Sequence, residues 1–230
     1  MKGMIFAAGL GTRLMPLTAN KPKALIEYKG KTLLQHAIEK LTEAGIDDII
    51  VNVHHFADQI IKFVTKHNFD AEITISDERD ALLDTGGGLK KAAWFFDKSP
   101  FLAYNVDIIS NIKIDELIKV HSASKAIATL AVKERESSRK LMFDENFRLC
   151  GWANLCTNKN IVTMESAIVH EYAFSGIQIL DPEIFKYMPA KRKFSVIELY
   201  LNLASTKIIS GYLDQQDFWL DLGRPEHLNQ

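Results

Sequence analysis

Met4-Ile5-Phe6-Ala7-Ala8 is an unbroken apolar run that ends in Gly9-Leu10-Gly11-Thr12-Arg13, and this junction decides how the rest of the chain is read. A run this short, apolar at every position, suits a strand covered on both faces, as in a parallel sheet between helix layers. Glycines directly after such a strand let the backbone approach an anion closely, and successive N–H groups there can form a nest for phosphate oxygens. The dinucleotide fingerprint would place a third glycine where Leu14 stands and open a helix, so a nicotinamide-dependent oxidoreductase is disfavoured. Thr85-Gly86-Gly87-Gly88-Leu89-Lys90 likewise has neither the spacing nor the Lys-Ser/Thr ending of a P-loop.

Working outward, Thr32-Leu33-Leu34-Gln35 has the form of a capping box, and Leu33, Leu34, Ala37, Ile38 and Leu41 recur at helical spacing until Gly45. Residues 46–53 read as a second buried strand, 56–66 as a helix, 72–75 as a strand, 87–96 as a helix entered from the glycine cluster, and 101–106 as a strand ending at Asp107. Such alternation implies βαβ units. After Lys133 the pattern changes: 140–144 and 147–151 read as a hairpin, 172–180 as a strand, 196–204 as a helix, and 207–213 and 218–222 as strands. Pro225 stands where a further helix would begin, cut short by the end of the chain at residue 230. No repeat or Pro/Ser-rich linker interrupts the chain, so residues 1–230 are expected to share one core.

The totals agree with a globular domain: 47% hydrophobic and 25% charged residues. Lysine and arginine number 28 against 29 acids, a net charge of −1 with no long basic block, which argues against a nucleic-acid partner. Cys150 and Cys156 fit neither a C-x-x-C pair nor a zinc knuckle and read as reduced packing thiols. The N-terminal apolar run is too short for a signal segment and no run approaches ~18 residues, so no membrane partner and a cytoplasmic location are expected.

Arg13 and Lys23 put two cations on the loop that carries the glycines, an arrangement suited to a triphosphate whose α-phosphorus gains charge on its oxygens during attack. His54-His55 reads as a structural or ribose-contact pair, since neighbours on a strand end point to opposite sides. Trp94-Phe95-Phe96 reads as core, and Lys133-Glu134-Arg135-Glu136 as a solvated face.

Gly9-Leu10-Gly11-Thr12-Arg13, Pro16-Leu17-Thr18 and Pro22-Lys23 together resemble the signature of sugar-1-phosphate nucleotidyltransferases. Asp84-Thr85-Gly86-Gly87-Gly88, Phe174-Ser175-Gly176-Ile177 and Trp219-Leu220-Asp221-Leu222-Gly223 look most like N-acetylmuramate-1-phosphate uridylyltransferases, with mannose-1-phosphate guanylyltransferases close by. The resemblance implies an α/β, Rossmann-like three-layer fold: a mostly parallel central sheet with helices on both faces and a smaller mixed α+β part. It implies a nucleotide-binding half at about 1–120 and an acceptor-binding half at about 121–230 of the same domain.

Carried over by position, the resemblance sets the triphosphate against Ala8, Gly9, Gly11 and Thr12, with Arg13 and Lys23 drawing off charge. The nucleobase would lie beside Gly86 and Gly87. Asp107 and Asp221 would bind Mg2+, and Ser175 and Gly176 would line the acceptor pocket. The implied partners are a nucleoside triphosphate and a sugar 1-phosphate, UTP with an N-acetylmuramate-type acceptor first, and GTP with a mannose- or heptose-type 1-phosphate second. Whether the chain forms a homo-oligomer is left open. Two departures stand out: Val106 occupies the place of a family glycine, and no Glu-Lys-Pro element precedes Tyr172, Glu165 standing alone. Val106 motivates an alternative of another class, a catalytically silent nucleotide-binding regulatory subunit.

Overall fold

The computed structural model describes residues 1–227. Its first strand, β1 (Lys2–Phe6), pairs in parallel with two others and is covered from both sides. Ile5 belongs to one apolar cluster, with Leu34, Ile38 and Leu41, while Met4 and Phe6 belong to a second, with Leu89 and Phe101. That alternation is the pleat of a strand sandwiched between two helix layers.

The chain then forms two short strands, β2 (Glu27–Tyr28) and β3 (Lys31–Thr32), and α1 (Leu33–Glu43). Thr32 caps α1 by accepting from the Gln35 backbone N–H, whereas the Gln35 side chain turns forward to Glu39, so only half of the expected reciprocal box forms. Gly45, with φ 74°, ends the helix, and the N–H groups of Gly45 and Ile46 reach back to the carbonyls of Thr42 and Leu41. Next come β4 (Asp48–Val53), α2 (Ala57–Lys66), β5 (Glu72–Asp77), α3 (Asp84–Lys91), β6 (Phe101–Asn105) and β7 (Ile108–Ser110). The expected 87–96 helix is shifted. It begins at Asp84, takes the three glycines into its first turns, stops at Lys91, and leaves only a 3-10 turn at Ala93–Phe95.

The remainder comprises α4 (Ile114–Ala123), β8 (Ala128–Lys133), β9 (Arg139–Phe143), β10 (Leu149–Asn154), β11 (Lys159–Val162), β12 (His170–Leu180), α5 (Val196–Leu203), β13 (Ile209–Leu213) and β14 (Trp219–Asp221). Pro225–His227 forms a 3-10 turn, and the expected continuation of a helix beyond it falls outside the described residues.

The large sheet runs β11-β10-β9-β12-β6-β1-β4-β5, with β8 pairing β12 and β13 pairing β8. Strands β6, β1, β4 and β5 are mutually parallel; β12 joins β6 antiparallel and carries the sheet into the β9–β10 hairpin. The register of β12 against β8 shifts between Phe174 and Gln178, around Gly176, whose φ is 79°. A Cβ there would stand 2.8 Å from Ile108 and 3.0 Å from Asn105, so the backbone of β12 presses on the end of β6. Parallel strands with helices on both sides, joined to a mixed second part, form the α/β architecture that the sequence reading describes.

Candidate active site

The loop after β1 is anchored by a polar side chain in an otherwise apolar strand. Asn52 of β4 is 2% exposed, and its Oδ1 accepts from the backbone N–H groups of Ala7 (2.7 Å) and Ala8 (3.3 Å). Its Nδ2 donates to Glu78 Oε1 at 2.8 Å. Buried donors and acceptors of this kind are costly to leave unpaired, so the exit of the chain from the sheet is fixed at Ala7–Ala8. Gly11, with φ 67°, then starts a single 3-10 turn at Thr12–Leu14. The Thr18 hydroxyl donates to the Gly11 carbonyl at 2.9 Å, and a Cβ on Gly11 would lie 3.1 Å from Lys23 Cβ. The loop therefore folds back and delivers Lys23 beside its own glycines.

The two aspartates are brought together by strand pairing across the length of the chain. In the small antiparallel sheet of β14 with β7, Asp221 stands opposite Ile108, and the Leu222 N–H donates to the Asp107 carbonyl at 2.8 Å. Lys23 Nζ forms an ion pair with Asp107 Oδ2, both side chains being largely buried. The Gly223 N–H donates to Asp221 Oδ1 at 2.9 Å. A Cβ on Gly223 would meet Asp107 Oδ2 at 2.6 Å, Asp221 Oδ1 at 2.8 Å and Lys23 Nζ at 2.9 Å, so three charged groups of distant origin share the space that this glycine leaves. Burial raises the Asp221 pKa above its ordinary value and the negative charge of Asp107 raises it further; the Gly223 N–H, Lys23 and Arg13 pull the other way. Arg224 Nε approaches Asp221 Oδ2 at 3.7 Å.

Among the described residues no group of three or more His, Cys, Asp or Glu side chains is placed to hold a metal. Two carboxylates that converge beside Gly223, each lining one of two adjoining cavities, do fit Mg2+, which takes few protein ligands and completes its shell with phosphate and water. Val106 is 4% exposed and packs into the core cluster with Ile5, Tyr104 and Ile177. It leaves Asn105 and Asp107 facing the cavity, so the feature that motivated a silent subunit does not crowd the site.

Two cavities flank the carboxylates. One, of about 370 Å³, is lined by Ala8, Gly9, Lys23 and Asp107 together with Asn52, Glu78, Asp84 and Thr85. The other, of about 610 Å³, is lined by Arg13 and Asp221 together with Arg135, Arg139, Lys140 and Arg224. Gly86 and Gly87 line neither. Their N–H groups donate to the Phe194 carbonyl at 2.9 and 3.2 Å, and a Cβ on them would strike Phe194 or the Arg192 carbonyl. These glycines admit the segment before α5, and Asp84 and Thr85 are what that loop shows to the cavity. Ser175 is fully buried with its hydroxyl unpartnered, and Gly176 presses on Asn105; Phe174 is the residue of that strand that lines the second cavity.

A family profile described as nucleotidyl transferase matches residues 2–143. The chain belongs to this family. It is 29% identical to the N-acetylmuramate alpha-1-phosphate uridylyltransferase of Caulobacter vibrioides, over 97% of this chain and 92% of that protein. It is 31% identical to mannose-1-phosphate guanyltransferase 2 of Candida glabrata, over 98% of this chain but 62% of that longer protein. Two solved structures share the fold: HddC from Yersinia pseudotuberculosis complexed with GMP-PN (24% identity, TM-score 0.78, 99% of this chain and 96% of that one), and the inositol-1-phosphate CTP transferase of T. maritima (14%, 0.80, 100% and 91%). This nucleotidyltransferase is thus an enzyme of the sugar-phosphate class, at work in nucleotide-sugar biosynthesis.

The structure revises several readings of individual residues. Lys133-Glu134-Arg135-Glu136 is no simple solvated face. Lys133 Nζ is held by the carbonyls of Gln216 and Asp214, and the Arg135 guanidinium lies 3.9 Å above the Trp219 ring, with Nη2 donating to the Phe174 carbonyl. Trp94 is 68% exposed, although Phe95 is buried and Phe96 stacks on Phe101. Cys150 is buried, but Cys156 is exposed and does not pack. His54 contacts the Glu78 carbonyl at 2.7 Å through Nδ1, a structural contact. No helix among the described residues is long and apolar enough to cross a membrane. Asn52, Glu78 and Arg135 escaped the sequence reading. The signal for Asn52 was a lone amide inside Ile49-Ile50-Val51-Asn52-Val53, whereas Glu78 and Arg135 sit in polar stretches that look solvated.

Proposed function

We propose that this enzyme joins UTP to an N-acetylmuramate-type 1-phosphate and releases pyrophosphate at the junction of the two cavities. The observation that carries the proposal is the convergence of Lys23, Asp107 and Asp221 around Gly223, between a cavity edged by the Gly9 loop and one edged by Arg13 and Arg135. An ionised oxygen of the sugar phosphate attacks the α-phosphorus in line; a new P–O bond forms as the bond to the β-phosphate bridging oxygen breaks, and pyrophosphate departs with the electron pair. The acceptor oxygen is already deprotonated near neutral pH, so no general base is required. The backbone of Ala8, Gly9, Gly11 and Thr12 holds the triphosphate, and Arg13 and Lys23 meet the charge that grows on the α-phosphoryl oxygens. Asp107 and Asp221 would hold Mg2+, which when bound neutralises phosphoryl charge and orients oxygens. Gly86 and Gly87 act by admitting the Phe194 segment and so shaping the nucleotide cavity, and Gly176 by setting Asn105.

The relative of similar length supports the uridylyl reading. The likeness to mannose-1-phosphate guanyltransferase 2 of Candida glabrata supports guanine as the second reading. Pyrophosphate release across the four common triphosphates, each with N-acetylmuramate, N-acetylglucosamine and mannose 1-phosphates, with and without Mg2+, tests both. UTP with the muramate acceptor is expected to give the highest kcat/KM. Turnover that ignores Mg2+, or none with any pair, sinks the proposal.

A further inference from the structure

The acceptor-side cavity is more cationic than one phosphate requires. Arg13, Arg135, Arg139, Lys140 and Arg224 line it, against Asp221 as its one carboxylate, and Asp221 is already shared with Asp107 and Gly223. Of these five cations only Arg224 has a carboxylate within ion-pair distance among the described residues. Glu134, Glu136 and Glu171 line an adjoining outer cavity, and none of them pairs with Arg135, Arg139 or Lys140. Unpaired cations crowded in a concave site repel one another and weaken the fold unless an anion arrives.

Four of the five cations fall into two groups by origin, and Arg135 stands between them. Arg13 and Arg224 come from the phosphate loop and from the turn after β14, next to Asp221, where the 1-phosphate must lie for attack. Arg139 and Lys140 open β9, with Ser137 and Ser138 just before them on the same wall. Arg135 lies on the Trp219 ring, with its Nε buried and without a partner, and its carbonyl accepts from Lys140 Nζ at 2.6 Å. Trp152 and Phe174 add apolar surface suited to a sugar ring.

We infer that the acceptor is a sugar 1-phosphate bearing a second anionic substituent, a carboxylate or another phosphate, and that Arg139 and Lys140 hold it, with Ser137 and Ser138 beside them. This rests on the nucleotidyl-transfer reading of the site. Acceptors matched except for the extra anion test it: N-acetylmuramate against N-acetylglucosamine 1-phosphate for the carboxylate, and glucose 1,6-bisphosphate against glucose 1-phosphate for the phosphate. A site built to pair with a charged group is expected to favour the acidic member by about 100-fold in kcat/KM. Preference in one pair alone identifies the anion and supports the subsite. The double variant Arg139→Gln/Lys140→Gln, its melting temperature checked against the parent, is expected to shrink that ratio to below about 10-fold, mostly through KM. Calorimetric affinities for the same four compounds give an answer that does not depend on turnover. Tighter binding of an acidic member without any product refutes the reaction and supports the subsite. Equal affinity and equal turnover within both pairs, or a ratio untouched in the double variant, overturns the subsite and leaves the reaction standing.

Discussion

Gly223→Ala separates the proposed chemistry from the fold more cleanly than removal of any charged residue. Gly223 is not among the residues with positive φ, so alanine brings no backbone strain. The added methyl would stand 2.6 Å from Asp107 Oδ2, 2.8 Å from Asp221 Oδ1 and 2.9 Å from Lys23 Nζ, where ordinary contacts are 3.4 Å or more. Each group must retreat by roughly 0.5–1 Å, and misplacement on that scale costs about 100-fold in rate, or ~2.7 kcal/mol of transition-state stabilisation. Overpacking itself costs roughly 1–3 kcal/mol, which for a chain of this size lowers the melting temperature by only ~2–4 °C per kcal/mol. The expected variant is therefore folded, slower by two orders of magnitude in pyrophosphate release, and in need of more Mg2+ for half-maximal rate. Turnover within about 3-fold of the parent at unchanged Mg2+ dependence refutes the reasoning, because the three charged groups would then not act from the positions described.

Lys23→Ala leaves Asp107 largely buried without its cation, so the metal-free protein is expected to lose ~3–5 kcal/mol in urea unfolding, with part of the loss restored by added Mg2+. Asn52→Ala strips partners from Ala7 N–H, Ala8 N–H and Glu78; about 3 kcal/mol of stability and a tenfold or larger part of kcat are expected to go, read by melting and pyrophosphate release. Burial raises the Glu78 pKa above its ordinary value of 4.5, more than the Asn52 bond lowers it. The folded state then keeps a proton that the unfolded chain releases, so stability falls as pH rises from about 4.5 through the raised value. Glu78→Gln should remove that fall, and parallel melting-temperature profiles of parent and variant across pH 4–8 would contradict it. His121, buried against Thr129, has its pKa lowered by burial, so its share of stability is present above its ordinary value of 6.5 and lost as pH falls below it; His121→Gln should flatten that limb of the profile.

Much of the first half of the chain was legible in the residues, because its signals are local. An apolar run into glycines gave β1 and its loop, and Thr32 with Gly45 bounded α1. Helix α4 and the strands β7, β8 and β11 escaped; β11 is a short, mostly exposed edge strand that only its pairing with β10 defines. The resemblance set a base beside Gly86 and Gly87, yet a Cβ on either would meet Phe194 or Arg192, and one on neighbouring Gly88 would meet Glu78, an equally good reason for glycine that no spacing distinguishes. The run at 133–136 looked solvated because nothing local announces that Trp219 will cover Arg135.

Residue types and short spacings thus determined by themselves a largely parallel α/β fold with a glycine loop at the end of its first strand, since strand burial and glycine freedom act within a few residues. Tertiary structure alone decided that Asp107 and Asp221 share one space with Lys23, because the pairing of β14 with β7 joins segments distant along the chain and places their carboxylates together. Only the folded chain brings Arg13, Arg135, Arg139, Lys140 and Arg224 to one cavity, because proximity of like charges is set by packing and never by sequence order.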